Sequence, residues 1–228
     1  MWFLLTVVVF YTIRWISKIL NSPLFNPLLI SIIVLICILK SFSVPFDTYY
    51  AQNSWISFLL QPAVVALAFP LYEQLPQIRT NWKLILTTCF IGSSLSMFTA
   101  SIIAVLLHAD IPLIASLLTK SITTPIAMEV AKQLGGEPSI AAILVLLAGL
   151  FGAIFGYPMF KLIKVTNPIA IGLTMGAVSH ALGTSTCAER DPRDGAFSSL
   201  ALVLCGVFTS ILAPVFLIFA LWLYHMTQ

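Results

Sequence analysis

The chain has 228 residues, of which 60% are hydrophobic and 8% charged, with a formal net charge of +3 and a mean hydropathy of +1.04. A soluble domain carries about a quarter charged residues, and disordered chains are poor in aromatics and rich in charge, so both classes are excluded. A spanning helix takes roughly 20 apolar residues. That leaves room for seven or eight spans with short loops, in one polytopic membrane domain over residues 1–228. The expected fold is an all-α integral membrane protein seated in a lipid bilayer. No run of basic residues offers a surface for nucleic acid.

The first predicted span runs from Trp2 to Leu20, with no basic stretch ahead of it and no small-residue cleavage site after it, so it reads as a retained span. Arg14 and Lys18 snorkel at its end. The second covers Pro23 to Leu39, and Lys40 to Asn53 reads as a polar loop containing Asp47. A third span is expected from Ser54 to Tyr72, and a fourth from Leu84 to Leu107. The segment Pro112 to Leu134 is apolar at its ends and polar in its middle. Ile140 to Phe160 is the sixth element, Asn167 to Thr186 is again polar toward one end, and Ala196 to Tyr224 closes the chain. Glu73, Glu189, Asp191 and Asp194 are expected to face water in loops.

Cytoplasmic loops carry the excess of Lys and Arg. If every segment crosses, Arg14, Lys18, Arg79, Lys83, Lys132, Arg190 and Arg193 fall inside and Lys40, Lys161 and Lys164 outside. If the two polar-centred segments re-enter from opposite faces, Lys161 and Lys164 move inside and Lys132 moves outside. Both arrangements place the N-terminus outside.

A polar residue followed by proline recurs at Asn26-Pro27, Gln61-Pro62, Thr124-Pro125 and Asn167-Pro168. Proline suits a helix start, and the polar side chain before it can cap. Pro27, Gln61, Pro62, Pro125 and Pro168 are therefore read as helix breaks or starts. Thr124-Pro125 differs from the others because it falls mid-segment. Pro112 to Thr119 and Pro125 to Leu134 make two half-helices, the second stopping at Gly135-Gly136. Ten residues span about 15 Å, half a bilayer core, so the break lands near the midplane. Interrupted helices of this kind carry the binding sites of many transporters.

Lys120, Ser121, Thr123 and Thr124 gather at that break. Thr124 is expected to cap the second half-helix, whose free N–H groups attract an anion, with Lys120 supplying a full positive charge. Lys120 alternatively snorkels, or pairs with Glu129 or Glu137. A second polar group runs from Ser179 through His180 and Gly183 to Thr186. His180 lies about 18 Å along a helix starting at Pro168, where it either meets a carboxylate or proton or simply bonds a neighbouring helix. Gly149, Gly152 and Gly156 form a small-residue face for helix packing. No hydrolase, Walker or Rossmann motif is present, the three histidines are scattered, and the four cysteines form no CxxC pair. No enzymatic role, cofactor or metal is expected, although a coupling ion, H+ or Na+, would suit a carrier.

Asn26-Pro27-Leu28, the run from Leu60 to Tyr72, Lys120 to Met128, Ser179 to Thr184 and Gly195 to Gly206 together resemble the LrgB/CidB family, most closely its enterobacterial inner-membrane branch. The resemblance covers nearly the whole chain. It implies a multi-pass protein of the bacterial cytoplasmic (inner) membrane with a small LrgA/CidA-type membrane partner. It also implies either antiholin-like control of murein hydrolase activity and autolysis, or carriage of small monocarboxylates. Carriage is the activity of the plastid glycolate/glycerate translocator that contains an LrgB-like half, and of bacterial pairs that move pyruvate. Carried over by motif, the site is Lys120, Ser121, Thr123, Thr124, His180 and Gly183. Position 61 is Gln where other branches have an acid, which sets aside that acid's proton-coupling role here. The leading expectation is a homo-oligomeric carrier of pyruvate-, glycolate- or lactate-like anions; the alternative is the antiholin-like regulator.

Overall fold

The computed structural model describes residues 2–20, 27–59, 62, 65, 69, 72 and 75–227. Asn26, Gln61, Glu73 and nine of the nineteen residues of the expected third span lie outside them, so Pro62 is the described half of its pair. All regular structure among the described residues is helical. The chain divides into two compact units, residues 1–62 and 63–228.

In the first unit α1 (Trp2–Leu20) packs on α2 (Pro27–Ser41), followed by α3 (Phe46–Gln52) and α4 (Ser54–Phe58). The stretch expected as a polar loop is thus largely helix. Its polar side chains are used against α1: Thr6 Oγ1 and Tyr49 Oη lie 2.8 Å apart, and the backbone N of Trp2 donates to Gln52 Oε1 at 3.2 Å.

The second unit holds α5 (Leu75–Leu106), bent at Asn81, then α6 (Ile111–Leu117), α7 (Thr124–Gln133), α8 (Pro138–Leu162), α9 (Pro168–Arg190) and α10 (Pro192–Thr227). Four described helices are long and apolar enough to cross a membrane: α1, α5 from Arg79, α8, and α10 to Met226. α2 is apolar but shorter, and the polar centres of α6–α7 and α9 break what would otherwise be spans.

Both of these interrupted segments turn back on themselves. In the first, α6 tightens into single turns, with Thr119, Lys120 and Ile122 N–H donating three residues back at 3.3 Å each. α7 then retraces the path and ends at Gly135, whose φ of +79 only glycine adopts freely. The N–H of Gly136 closes that end on Ala131 O at 2.8 Å and that of Gly135 on Lys132 O at 3.2 Å, the paired bonds of a left-handed helix stop. The return is complete: Glu137 N donates to Ser116 Oγ at 2.8 Å.

In the second hairpin the reversal sits at His180, at φ 40 and ψ −130. Met175 and Cys187 share one buried cluster with Phe160 and Ile171. On a straight helix twelve residues would separate them by about 18 Å. The arms also meet α10 in opposite senses. Gly172 and Gly176 lie against Asp194–Ser198 and Ser198–Leu202, running with α10, whereas Thr184 bonds Ser198 and Ala188 abuts Gly195, running against it.

The first hairpin precedes α8 and the second follows it, so the two enter from opposite ends of a helix about 37 Å long. This is the re-entrant one of the two arrangements allowed by the charge pattern. Asn167 fixes the entry of the second by accepting from Ile169 N at 2.9 Å and Ala170 N at 3.4 Å. Asn167→Ala is expected to cost about 1 kcal/mol, read as a lower thermal midpoint in detergent.

Candidate functional site

The two hairpin tips lean on one stretch of α8. Ile122 and Ala127 of the first pack on Val145 in a buried cluster. From the second, His180 Nε2 lies 2.7 Å from the Val145 carbonyl oxygen, to which it donates. The glycines of α8 make room for this. A Cβ at Gly149 would lie 2.5 Å from His180 Cε1, one at Gly152 would collide with Ser179 Oγ, and one at Gly156 would meet the Met175 sulfur. The glycine face therefore receives the second tip.

Lys120 sits in the turn before the first tip. Its Nζ donates to Ser96 Oγ on α5 at 2.8 Å and to Ser121 Oγ at 3.4 Å, and these two hydroxyls bond each other at 2.9 Å. It does not pair with Glu129, which accepts from Gln133 Nε2 at 3.2 Å, or with Glu137. Among the described residues the one ion pair is Arg193 with Asp191 at 2.9 Å. Lys120 thus sits among hydroxyls with no carboxylate beside it among the described residues, inside a chain where an intramembrane cation costs at least about 2.5 kcal/mol.

The cap of α7 differs from expectation. Thr123 is the N-cap, and Thr124 is the first helical residue, because the missing N–H of Pro125 is as harmless at the second helical position as at the first. Thr123 accepts the first helical bond through its carbonyl, from Ala127 N at 2.9 Å. Its hydroxyl is buried and has no hydrogen-bond partner, and the same holds for Ser179 Oγ beside the other tip. Native interiors rarely leave such groups unsatisfied, and one stands at each tip. Gly183 holds the return of the second hairpin, where a Cβ would come within 2.9 Å of Met175 O.

His180 is buried, and no hydrogen bond joins it to Lys120, Ser121, Thr123 or Thr124. Its own carbonyl accepts from Thr184 Oγ1 at 2.8 Å. The backbone there favours glycine, so two variants separate strain from bonding. His180→Ala and His180→Gly both lose the Val145 bond, but glycine relieves a conformation that costs about 1–3 kcal/mol. His180→Gly is expected to melt above His180→Ala, by about 1 kcal/mol in stability.

Asp194 corrects the expectation of a water-facing loop. It is 4% exposed and accepts from Tyr157 Oη at 2.7 Å, because Gly172 lets the start of α10 press onto α9. The Arg190 guanidinium lies 4.2 Å from the centre of the Tyr157 ring. Asp191 does face water. Hydrogen bonds from the Arg193 side chain and backbone hold its carboxyl below the usual carboxylate range, so this contact persists above that range and weakens on acidification.

The LrgB-like family model matches residues 6–219. An uncharacterised protein of Haemophilus influenzae is 48% identical over 92% of this chain and 91% of its own length. The Holin-like protein CidB of Staphylococcus epidermidis is 34% identical over 94% of each, and that of Staphylococcus aureus 33% identical over the same shares. No solved structure matches the chain. The family match over nearly the whole length, with relatives above 30% identity, makes this chain a member of the LrgB-like family.

Proposed function

We propose that the chain is a carrier for small monocarboxylates of the pyruvate, glycolate or lactate kind, working in the bacterial cytoplasmic membrane with an LrgA/CidA-type partner and as a homo-oligomer. The observation that carries this is Lys120, a cation at a hairpin break with no acid beside it among the described residues. The buried Thr123 hydroxyl at the start of α7 adds to it. A carboxylate would sit between that helix start and the ammonium. Two re-entrant tips approaching from opposite ends of α8 fit alternating access, each tip closing the path on its own side. The positive-inside pattern then puts the N-terminus outside and Lys161 and Lys164 inside, with H+ or Na+ as the coupling ion.

A second reading rests on a different observation. The CidB relatives are named holin-like, which supports an antiholin-like role in controlling murein hydrolase activity and autolysis more directly than it supports carriage. Cells expressing or lacking the chain distinguish the two. A carrier changes saturable accumulation of labelled pyruvate, glycolate or lactate at an unchanged rate of autolysis. A holin-like regulator changes autolysis and leaves accumulation untouched.

A further inference from the structure

An apolar groove of about 340 Å³ runs between α5 and α6 and ends at Lys120. Thr99, Ile103 and Leu107 line one wall and Leu113 and Leu117 the other. The wall on α5 rises about 12 Å from Thr99 to Leu107. Its outer end lies at the turn joining the two helices, and Lys120, whose ammonium is held by Ser96 and Ser121, lines its other end. The lining apart from Lys120 and Thr99 carries no polar side chain.

A groove facing lipid alone would need no cation at its floor, and a site for a hydroxy acid would need hydrogen-bonding groups along its walls. This one pairs a single charge with aliphatic walls. We propose that Lys120 and this groove bind a monocarboxylate that carries a short aliphatic tail, the carboxylate on Lys120 and the tail between α5 and α6. This rests on the carrier reading and shifts its substrate class from hydroxy and keto acids toward monocarboxylates with a plain alkyl tail. Each buried methylene then tightens binding by about fourfold, up to the length of the groove.

The test uses the full chain in lipid nanodiscs and the labelled acids acetate, butyrate and hexanoate, with binding to protein-free nanodiscs subtracted. The expected result is affinity that climbs steeply along the series, with Leu113→Trp and Thr99→Phe, which fill the groove from opposite walls, each flattening the climb. A flat series in the unaltered chain overturns the proposal, as does an undiminished climb in both filled variants. Steepening affinity without uptake into liposomes would remove the carrier reading and leave the groove assignment standing. Uptake of pyruvate with a flat binding series would do the reverse.

Discussion

On the carrier reading, Lys120→Ala is expected to abolish saturable uptake of a small monocarboxylate while the chain still inserts and stays monodisperse. The structure sets the size of the effect. Lys120 Nζ is held by two hydroxyls and faces no carboxylate among the described residues, so a bound anion would supply its only opposite charge there. Removing one member of a buried, hydrogen-bonded charge pair costs about 2–5 kcal/mol, which is about thirtyfold or more in affinity. Lys120→Arg keeps the charge but replaces a compact ammonium with a planar fork that Ser96 and Ser121 are not arranged to hold, so weaker uptake is expected in place of none. Full uptake by the alanine variant would show that Lys120 is structural.

Gly152→Val has the largest expected effect on the fold. A Cβ there would collide with Ser179 Oγ and lie 2.5 Å from Ser179 Cβ. Ser179 is fully buried beside the strained turn at His180, so the tip cannot move aside without losing the His180–Val145 bond. Overpacking of this kind costs about 1–3 kcal/mol or more, and the displaced tip also loses its place on α8. Thermal unfolding in detergent reads the loss. Gly92→Ala serves as the comparison, because the nearest atom to a Cβ there is 3.7 Å away and no loss is expected. Combining Gly152→Ala with Ser179→Gly should recover most of the cost of the single alanine change, since the two atoms that clash are then never both present.

The membrane class was legible from composition alone, and the first hairpin was half legible. Pro112, Pro125, Gly135 and the polar run from Lys120 to Thr124 mark local backbone chemistry, and local chemistry is what a sequence displays. The second hairpin was not marked in this way. No glycine or proline stands at position 180, and the stretch from Asn167 to Thr186 reads as one segment that is polar toward one end. Its reversal is imposed from outside by the bare face of Gly149, Gly152 and Gly156, which the sequence displays only as a packing surface. Ser96 was likewise hidden, since it stands 24 residues from Lys120 in the chain and only the packing of α5 brings it there. Asp194 looked like a loop acid because it closes the charged run Glu189-Arg190-Asp191-Pro192-Arg193. The contact with Tyr157 that buries it is made across helices.

The carrier reading stands or falls on uptake by the purified chain in sealed liposomes, with and without its small membrane partner and with a fluorescent dye too large for a carrier trapped inside. The expected result is saturable accumulation of labelled pyruvate or a similar acid, driven by an imposed H+ or Na+ gradient and lost in Lys120→Ala, with the dye retained throughout. Release of the dye, or equal passage of unrelated solutes without saturation, would contradict the account and assign the chain to the holin-like class.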